Sequence, residues 1–301
     1  MNEQLDLFAS LYEKPKLPKH VRLIECFAGI GAQAKALEVL GVDFEHWRTV
    51  EWSWQSITAY NAIHMGGRIA DTSHLTYEEV LKRISGVSHD YNQPMTDEQL
   101  RRKGEAWARE LLGRMIANNN VCPDVSRVHA KDLDIRERED NLYILTYSFP
   151  CQDLSSAGLL KGFEKGSGTR SGLLWEIERI LNECGPELPQ VLVMENVPGV
   201  CSSNNKGPWQ SWLDCLHGMG YTSYLKIINA KDCSIPQNRK RAFLVSILGE
   251  HSYVFPKKAP LRHFLKDFIK KGVDESYYLS DDLVRDFERY VDGKEGEEKP
   301  F

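Results

Sequence analysis

Residues 142–155 read Leu142-Tyr-Ile-Leu-Thr-Tyr147-Ser-Phe-Pro150-Cys151-Gln-Asp-Leu-Ser155, an apolar run that breaks at a proline followed by a cysteine. The run predicts a buried strand. A Pro-Cys step just past it places a thiol at the carboxyl edge of the sheet, where open α/β sheets bind ligands. The residues that follow, up to Gly168, are small, polar and glycine-rich, which suits a mobile flap over a reactive centre. A lone cysteine is more often a small buried hydrophobe than a nucleophile, so the interpretation of Cys151 depends on the rest of the chain.

A glycine turn, Phe27-Ala-Gly29-Ile-Gly31, joins a predicted strand over 21–26 to a predicted helix over 32–40. This arrangement presents backbone N–H groups and the positive end of a helix to a ligand. A second predicted strand ends at Glu51, 22 residues after Gly29, where an acid can bind ribose hydroxyls. Trp52 follows and could lie against a purine. The pattern favours a nucleotide-like cofactor over a plain packing turn, but the third glycine of the dinucleotide fingerprint is missing.

Strands and helices alternate along most of the chain. Such alternation predicts a doubly wound, mostly parallel α/β sheet. The predicted strands beyond Glu51 cover 126–130, 142–147, 191–198, 224–228 and 242–247, with helices over 172–182 and 209–217.

Residues 72–125 interrupt the alternation, and their capping-box starts at Thr76 and Thr96 predict a helical insertion. Its basic run, Arg101-Arg-Lys103, is interpreted as the solvated face of a helix, with DNA or partner contact as the alternative. We expect an N-terminal arm over 1–20, a main domain over 21–256, and a linker over 257–301 with a basic amphipathic helix over 261–269.

The composition of the 301 residues is that of a soluble globular protein, with 42% hydrophobic and 27% charged residues. The seven cysteines are odd in number and widely spaced, so neither a disulfide framework nor a zinc site is expected, and a reducing, cytoplasmic compartment is predicted. No signal peptide and no membrane span is predicted. The net charge of −5 argues against a free-standing nucleic-acid binder, which usually carries a basic face.

Glu195 follows the apolar strand Val191-Leu-Val-Met194 directly. Because the carboxyl ends of parallel strands share one edge, Glu195 and Cys151 are expected to converge. An acid in this place is costly to bury unless something pairs with it, and Arg239 or Arg241 of the run Gln237-Asn-Arg-Lys-Arg241 could supply the partner. Alternatively, Glu195 is a helix-capping or ion-paired acid, and the two arginines are part of a solvated basic edge.

Four motifs stand in one order: Phe27-x-Gly-x-Gly31, Pro150-Cys-Gln152, Glu195-Asn-Val197 and Gln237-x-Arg-x-Arg241. With them the chain resembles the DNA (cytosine-5) methyltransferases over residues 21–247, apart from the insertion. The resemblance implies a Rossmann-like, S-adenosylmethionine-dependent methyltransferase fold whose catalytic domain covers 21–256. It also implies methyl transfer to carbon-5 of a flipped-out cytosine in double-stranded DNA through a covalent Cys151 adduct.

The resemblance also implies a role for each site residue. Phe27, Gly29, Gly31, Pro150 and Leu173 are expected to contact S-adenosylmethionine. Glu51 is expected to bind its ribose, Trp52 to stack on its adenine, and Asp132 (or alternatively Asp134) to bind the adenine amino group. Cys151 is the nucleophile, Glu195 binds the ring nitrogen of cytosine, and Arg241 binds its carbonyl or a phosphate, supported by Arg239 and Gln237. Gln152, Ser155 and Asn196 are expected to contact the substrate, and the flap over 152–170 to close over DNA.

Family members continue into a target-recognition region and a Gly-Asn-Ser-like motif, and neither is found in the 60 residues after Arg241. Tyr277-Tyr-Leu-Ser280 resembles the run that precedes a recognition region. We therefore expect an incomplete chain that needs a second subunit or a missing segment, in keeping with its acidic charge. The alternatives are autonomous activity, a noncatalytic or degenerate cofactor- or DNA-binding remnant, and an RNA cytosine-5 methyltransferase.

Overall fold

The computed structural model describes residues 20–154 and 162–292. The chain divides into two compact units. The first contains the residues up to Asn229 together with Arg239–Lys257, and the second contains Ala230–Asn238 together with the residues from Lys258 on. Most of the predicted arm (residues 1–19) and part of the predicted flap (155–161) lie outside the described residues.

A six-stranded sheet forms the centre of the first unit, with the order β2-β1-β3-β4-β6-β5. Its strands are β1 (His20–Cys26), β2 (Phe44–Val50), β3 (Asn141–Tyr147), β4 (Val191–Asn196), β5 (Tyr221–Asn229) and β6 (Lys240–Leu248). β2, β1, β3 and β4 run parallel, whereas β6 is antiparallel to both β4 and β5. The prediction of a doubly wound, mostly parallel sheet is thus confirmed. The strand order reverses between β1 and β3, which makes their carboxyl ends the expected ligand crevice.

Helices connect the strands and form the insertion. Along the chain they are α1 (Ala32–Val39), α2 (Trp54–His64), α3 (Tyr77–Ile84), α4 (Asp97–Lys103), α5 (Glu105–Ala117), α6 (Ala130–Leu133), α7 (Leu174–Cys184), α8 (Lys206–Gly218) and α9 (Asp281–Asp292). The main core joins β1, β3 and β4 to the apolar faces of α7 and α8, with Tyr147, Ile177 and Trp212 among its most buried side chains.

The insertion builds a second core, in which α3, α4 and α5 pack against Ile57 of α2. Both capping boxes that the sequence predicts are formed. The end of the insertion runs beside β2: the N–H of Thr49 donates to the carbonyl of Asn119 at 2.9 Å, and the N–H of Val121 donates to the carbonyl of Thr49 at 3.0 Å. These bonds hold the insertion against the strand that ends at Glu51.

Two predicted elements are wrong. The strand predicted over 126–130 is replaced by a 3-10 turn, Val125–Arg127, and by α6. The side chain of Asp124 caps the turn and that of Asp132 caps the helix, and these local hydrogen bonds favour a turned backbone over an extended one. The basic amphipathic helix over 261–269 is only the 3-10 turn Leu265–Asp267, at whose start the Asp267 carboxylate accepts the N–H of Phe264.

The described residues contain no helix with the length and apolarity needed to cross a membrane.

Candidate active site

The glycine turn at the end of β1 is held in a special backbone conformation. Phe27 has φ +58° and Gly29 has φ +56°, a region that is strained for a residue with a side chain and marks functional loops. The N–H of Ala28 donates to the carbonyl of Val50 at 3.1 Å, so the turn is fixed to the end of β2. Helix α1 then starts at Ala32, with Gly31 at φ +80° before it.

Glu51, the residue that follows β2, is a buried acid that binds this turn. One carboxylate oxygen accepts the N–H of Gly29 at 2.7 Å, and the other accepts the N–H of Ser53 at 2.7 Å. Burial raises the pKa of Glu51 above its ordinary value, although these backbone donors oppose the shift. The carboxylate can therefore tie the glycine turn to the start of α2 and still offer lone pairs to a ligand's hydroxyl groups.

The Pro-Cys turn is positioned by bonds to its neighbours. The amide of Asn196, at the end of β4, donates to the carbonyl of Phe149 at 3.0 Å, and the hydroxyl of Ser171 donates to the carbonyl of Pro150 at 2.7 Å. Gly199 lets the turn approach closely, since a Cβ there would lie 2.2 Å from the carbonyl oxygen of Leu154. Cys151 is half-buried beside the end of β4.

An ion pair joins the ends of β4 and β6. The Nε of Arg241 lies 2.8 Å from Oε1 of Glu195, and the two side chains are 21% and 26% exposed. The antiparallel direction of β6 makes this contact possible, because Ala242 pairs with Asn196 and so brings the first residues of β6 to the carboxyl end of β4. The sequence predicted that one of the two arginines could pair with Glu195, and Arg241 is that one.

Most of the predicted site residues line one cavity of about 420 Å³, a size typical of small-molecule sites. Those that line it are Phe27, Gly29, Glu51, Trp52, Pro150, Cys151, Gln152, Leu173, Glu195, Asn196, Arg239 and Arg241. Cofactor-type and nucleophile-type residues thus share one space at the carboxyl edge of the sheet.

The structure does not bring every predicted residue to this cavity. Gly31 lies behind it, where an added Cβ would meet His64 at 2.3 Å. Asp132 caps α6 by accepting the N–H of His129 at 2.8 Å, and Asp134 pairs with Arg48 at 2.9 Å. Neither acid lines the cavity, because the predicted strand before them is a turn and a helix. Gln237 belongs to the second compact unit and Ser155 lies outside the described residues, so their roles stay predictions.

Several further residues that the sequence motifs do not indicate also line the cavity. Asp124 caps the turn that replaces the predicted strand and Val125 begins it, and Tyr91 and Pro94 reach the cavity from the insertion. The hydroxyl of Tyr91 lies 2.5 Å from that of Ser56 on α2. The positive φ of Tyr91, +59°, reports local strain but cannot be read from the sequence.

The lining suits a nucleoside-like cofactor. Glu51 can accept hydrogen bonds from ribose hydroxyls, Trp52 and Phe27 present aromatic surface, and Asp124 adds a second carboxylate to the lining. A thiol beside a paired carboxyl and guanidinium is suited to nucleophilic attack on a polar ring.

Comparison with known proteins gives consistent matches. The family model described as C-5 cytosine-specific DNA methylase matches residues 84–300. The orphan methyltransferase M.SssI of Spiroplasma monobiae is 34% identical over 269 residues, which are 87% of this chain and 68% of that protein. The type II methyltransferase M2.ScrFI of Lactococcus lactis subsp. cremoris is 32% identical over 88% of this chain and 72% of that protein.

Among solved structures, Schizosaccharomyces pombe Dnmt2 methyltransferase superposes with a TM-score of 0.57 at 18% identity, over 90% of this chain and 66% of that one. This likeness supports the fold. The chain covers just under two thirds of the length of that solved structure and slightly more of M.SssI and M2.ScrFI. The family match over most of the chain shows that it belongs to the C-5 cytosine-specific DNA methylases, methyltransferases whose methyl donor is S-adenosylmethionine.

Proposed function

We propose that this chain transfers a methyl group from S-adenosylmethionine to carbon-5 of a cytosine flipped out of double-stranded DNA. The observation that carries the proposal is the shared cavity, in which Cys151, Glu195 and Arg241 line the same space as Glu51 and Trp52. The donor therefore has a buried carboxylate and an aromatic face to bind it. The acceptor base has a thiol and a carboxyl within the same hollow.

The chemistry assigned to the chain begins with Cys151. A base inside a duplex cannot reach the cavity, so it leaves the stack at a cost of a few kcal/mol. The thiol of Cys151 loses its proton to solvent, and the thiolate forms a bond to carbon-6 of cytosine while the electron pair of the carbon-5–carbon-6 double bond moves toward carbon-5, which becomes electron-rich. A proton shared between the carboxyl of Glu195 and the ring nitrogen stabilises the charge that develops there. S-adenosylmethionine, when bound, supplies the methyl group from its sulfonium. Loss of the carbon-5 proton expels the sulfur of Cys151 and restores the aromatic ring.

The two arginines have different tasks in this proposal. Arg241 holds the Glu195 carboxyl through the 2.8 Å ion pair, which fixes the orientation of that carboxyl toward the base. Arg239 is exposed at the wall of the cavity, where its guanidinium can bind the phosphate next to the flipped nucleotide. Asn196 secures the Pro-Cys turn, and Gln152 follows the nucleophile where it can meet the DNA strand.

The test is single-turnover methyl transfer from labelled S-adenosylmethionine. The acceptors are a pool of duplexes with cytosine in every sequence context, the same pool without cytosine, and an RNA pool. We expect label only in the cytosine-containing DNA, and none with Cys151→Ser, although this variant still binds the cofactor. Label in RNA alone would favour the RNA methyltransferase, and cofactor binding without transfer to any pool would favour the noncatalytic alternative.

The finer parts of the proposal concern the whole protein. We propose that residues 21–256 form the catalytic domain and 257–301 a linker toward target recognition, and that a second polypeptide or segment contributes DNA contacts. The net charge of −5 supports this, because a DNA-reading surface is usually basic. Robust, sequence-specific methylation by this chain as a monomer would refute the second polypeptide. The cytoplasmic location stays a prediction.

A further inference from the structure

Three side chains able to ligate a metal lie together behind the glycine turn. They are Glu38 on α1, His46 on β2 and His64 at the end of α2, and one ligand atom of each lies within 4.8 Å of the other two. None of them lines the cavity described above. The proposed methyl transfer therefore gives this cluster no role.

The ring of His64 has a fixed orientation. Its Nε2 lies 3.0 Å from the carbonyl oxygen of Ile30. A carbonyl only accepts, so Nε2 carries a hydrogen and donates it. The side chain is fully buried against Gly31. Nδ1 is therefore the nitrogen that faces Glu38, with 2.8 Å between it and Oε1.

The ring of His46 is oriented in the same way. Its Nδ1 lies 2.8 Å from the hydroxyl of Tyr60, which donates its single hydrogen to the buried carboxylate of Glu25 at 2.7 Å. The hydroxyl must then accept from His46, so Nδ1 carries the hydrogen and Nε2 keeps its lone pair.

Each histidine thus donates one N–H to a fixed protein acceptor, which leaves its other nitrogen as the candidate ligand atom; in His64 this is Nδ1, which now shares a proton with Glu38. This is the arrangement typical of metal-binding histidines. We propose that Glu38, His46 and His64 form a binding site for one divalent transition metal ion, for which Zn²⁺ is the best match. Two imidazole nitrogens and a carboxylate oxygen are the ligands, and water takes the fourth position.

The three ligand atoms must move closer together to hold one ion. Zinc bonds of about 2.0–2.1 Å place tetrahedral ligand atoms about 3.4 Å apart, so a pair at the 4.8 Å limit must approach by about 1.4 Å. The Glu38 side chain is 33% exposed and can move. The ion replaces the proton between Nδ1 of His64 and Oε1 of Glu38, and that proton passes to the buffer. Lys35 opposes the ion, since its Nζ lies 2.6 Å from the other Glu38 oxygen.

The test measures Zn²⁺ binding to the full chain by competition with a chromogenic chelator. We expect one equivalent to bind, with affinity at least about tenfold lower in Glu38→Gln and in His46→Gln. Lys35→Gln should bind more tightly, because it removes the competing cation. His217→Gln, an exposed histidine on α8, is the matched control and should not change the affinity.

Cysteine thiols also bind zinc, so the same titration is repeated with Co²⁺. A spectrum without a thiolate charge-transfer band supports the nitrogen and oxygen ligands. A thiolate band, unchanged binding in His46→Gln and Glu38→Gln, or no binding at micromolar Zn²⁺ would overturn the proposal. Glu38 lies at the surface, so Glu38→Gln tests the site without disturbing the fold, and a matching circular dichroism spectrum verifies this. The readout does not use methyl transfer and is independent of the proposed function.

Discussion

Arg241 positions the proposed catalytic carboxyl of Glu195 through an ion pair. The ion pair holds the carboxyl at the cavity wall, and Glu195→Gln keeps the shape but can neither carry the negative charge nor take up and release a proton. We expect single-turnover methyl transfer to fall by about 10²-fold or more, the size typical of a lost general acid or base. The cofactor dissociation constant should change little, because Glu195 acts on the base.

A double-mutant cycle distinguishes a positioning role of Arg241 from an independent one. If Arg241 acts through Glu195, the variant Glu195→Gln/Arg241→Gln loses about as much rate as Glu195→Gln alone, since coupled residues are not additive. If the rate loss of the double variant equalled the product of the losses in the two single variants, Arg241 would act independently and the positioning role would be contradicted. Glu187→Gln, at an exposed site, controls for the removal of a negative charge and should leave the rate unchanged.

The buried Glu51 predicts a pH dependence of cofactor binding. Its pKa is raised by burial, so the carboxylate becomes protonated at a higher pH than an ordinary glutamate does. The ionised form accepts hydrogen bonds and the protonated form accepts fewer. Affinity for S-adenosylmethionine should therefore be full above the raised pKa and fall as the pH decreases through it. Isothermal titration across this range measures the effect.

Glu51→Gln is the matched variant for that titration. Its amide cannot titrate, so the affinity should be lower than that of the native chain at neutral pH and nearly independent of acidification. If the variant kept the full pH dependence of the native chain, another group, such as the buried Glu25 whose pKa is also raised, would be responsible.

The sequence predicts a residue's place well where one strand end determines it. Cys151 lies four residues past the end of β3 and Glu195 is the second-to-last residue of β4, and parallel strands end at one edge. This rule does not apply to Asp132, because the segment before it is not a strand. The side chains of Asp124 and Asp132 cap a 3-10 turn and a short helix there. Tyr91 could not be predicted, since its contact with the cavity depends on how the whole insertion packs.

At the scale of elements, the insertion supplies part of the cavity wall. Tyr91 lines the cavity, and its hydroxyl is anchored by Ser56 of α2. Tyr91→Ala should raise the dissociation constant of S-adenosylmethionine by about tenfold, because the loss of one aromatic contact costs roughly 1.5 kcal/mol. Tyr91→Phe keeps the ring and should retain most of the affinity. Equal affinity for the alanine variant and the native chain would contradict this role.

The insertion is also joined to the main domain by a buried amide. Asn118 is 1% exposed; its amide donates to the carbonyl of Ile57 at 2.9 Å and its amide oxygen accepts from Asn61 at 3.0 Å. Asn118→Ala leaves these buried partners unpaired, which costs about 1–3 kcal/mol of unfolding free energy. Urea unfolding measures the loss. Asn182→Ala, at an exposed site on α7, is the control, and an equal change in both variants would contradict the linking role.

The direction of β6 is the element-level feature that sequence patterns did not predict. An apolar run indicates a strand but not its orientation, because periodicity is the same in both directions. The antiparallel course is what brings Arg241 beside Glu195. In contrast, the positions of all the strands that form the sheet were predicted to within a few residues, since each is an apolar run bounded by turn residues or charges.

At the scale of the whole molecule, family membership and the site geometry are independent observations that agree. The family model matches most of the chain, and within the first compact unit residues of all four motifs, among them Arg239 and Arg241 of the last, line one cavity. Composition and charge could indicate only a globular chain. The ordered motifs carried the functional prediction, because each one needs a particular residue type at a strand end.

The central claim is that Cys151 attacks a flipped cytosine, and covalent trapping tests it most directly. A duplex with 5-fluorocytosine has no carbon-5 proton to lose, so the sulfur cannot leave after methyl transfer. With S-adenosylmethionine present, mass spectrometry should find the DNA adduct on Cys151 in the native chain and in Cys233→Ser, and no adduct in Cys151→Ser. An adduct on another cysteine, or none at saturating duplex and cofactor, would contradict the account.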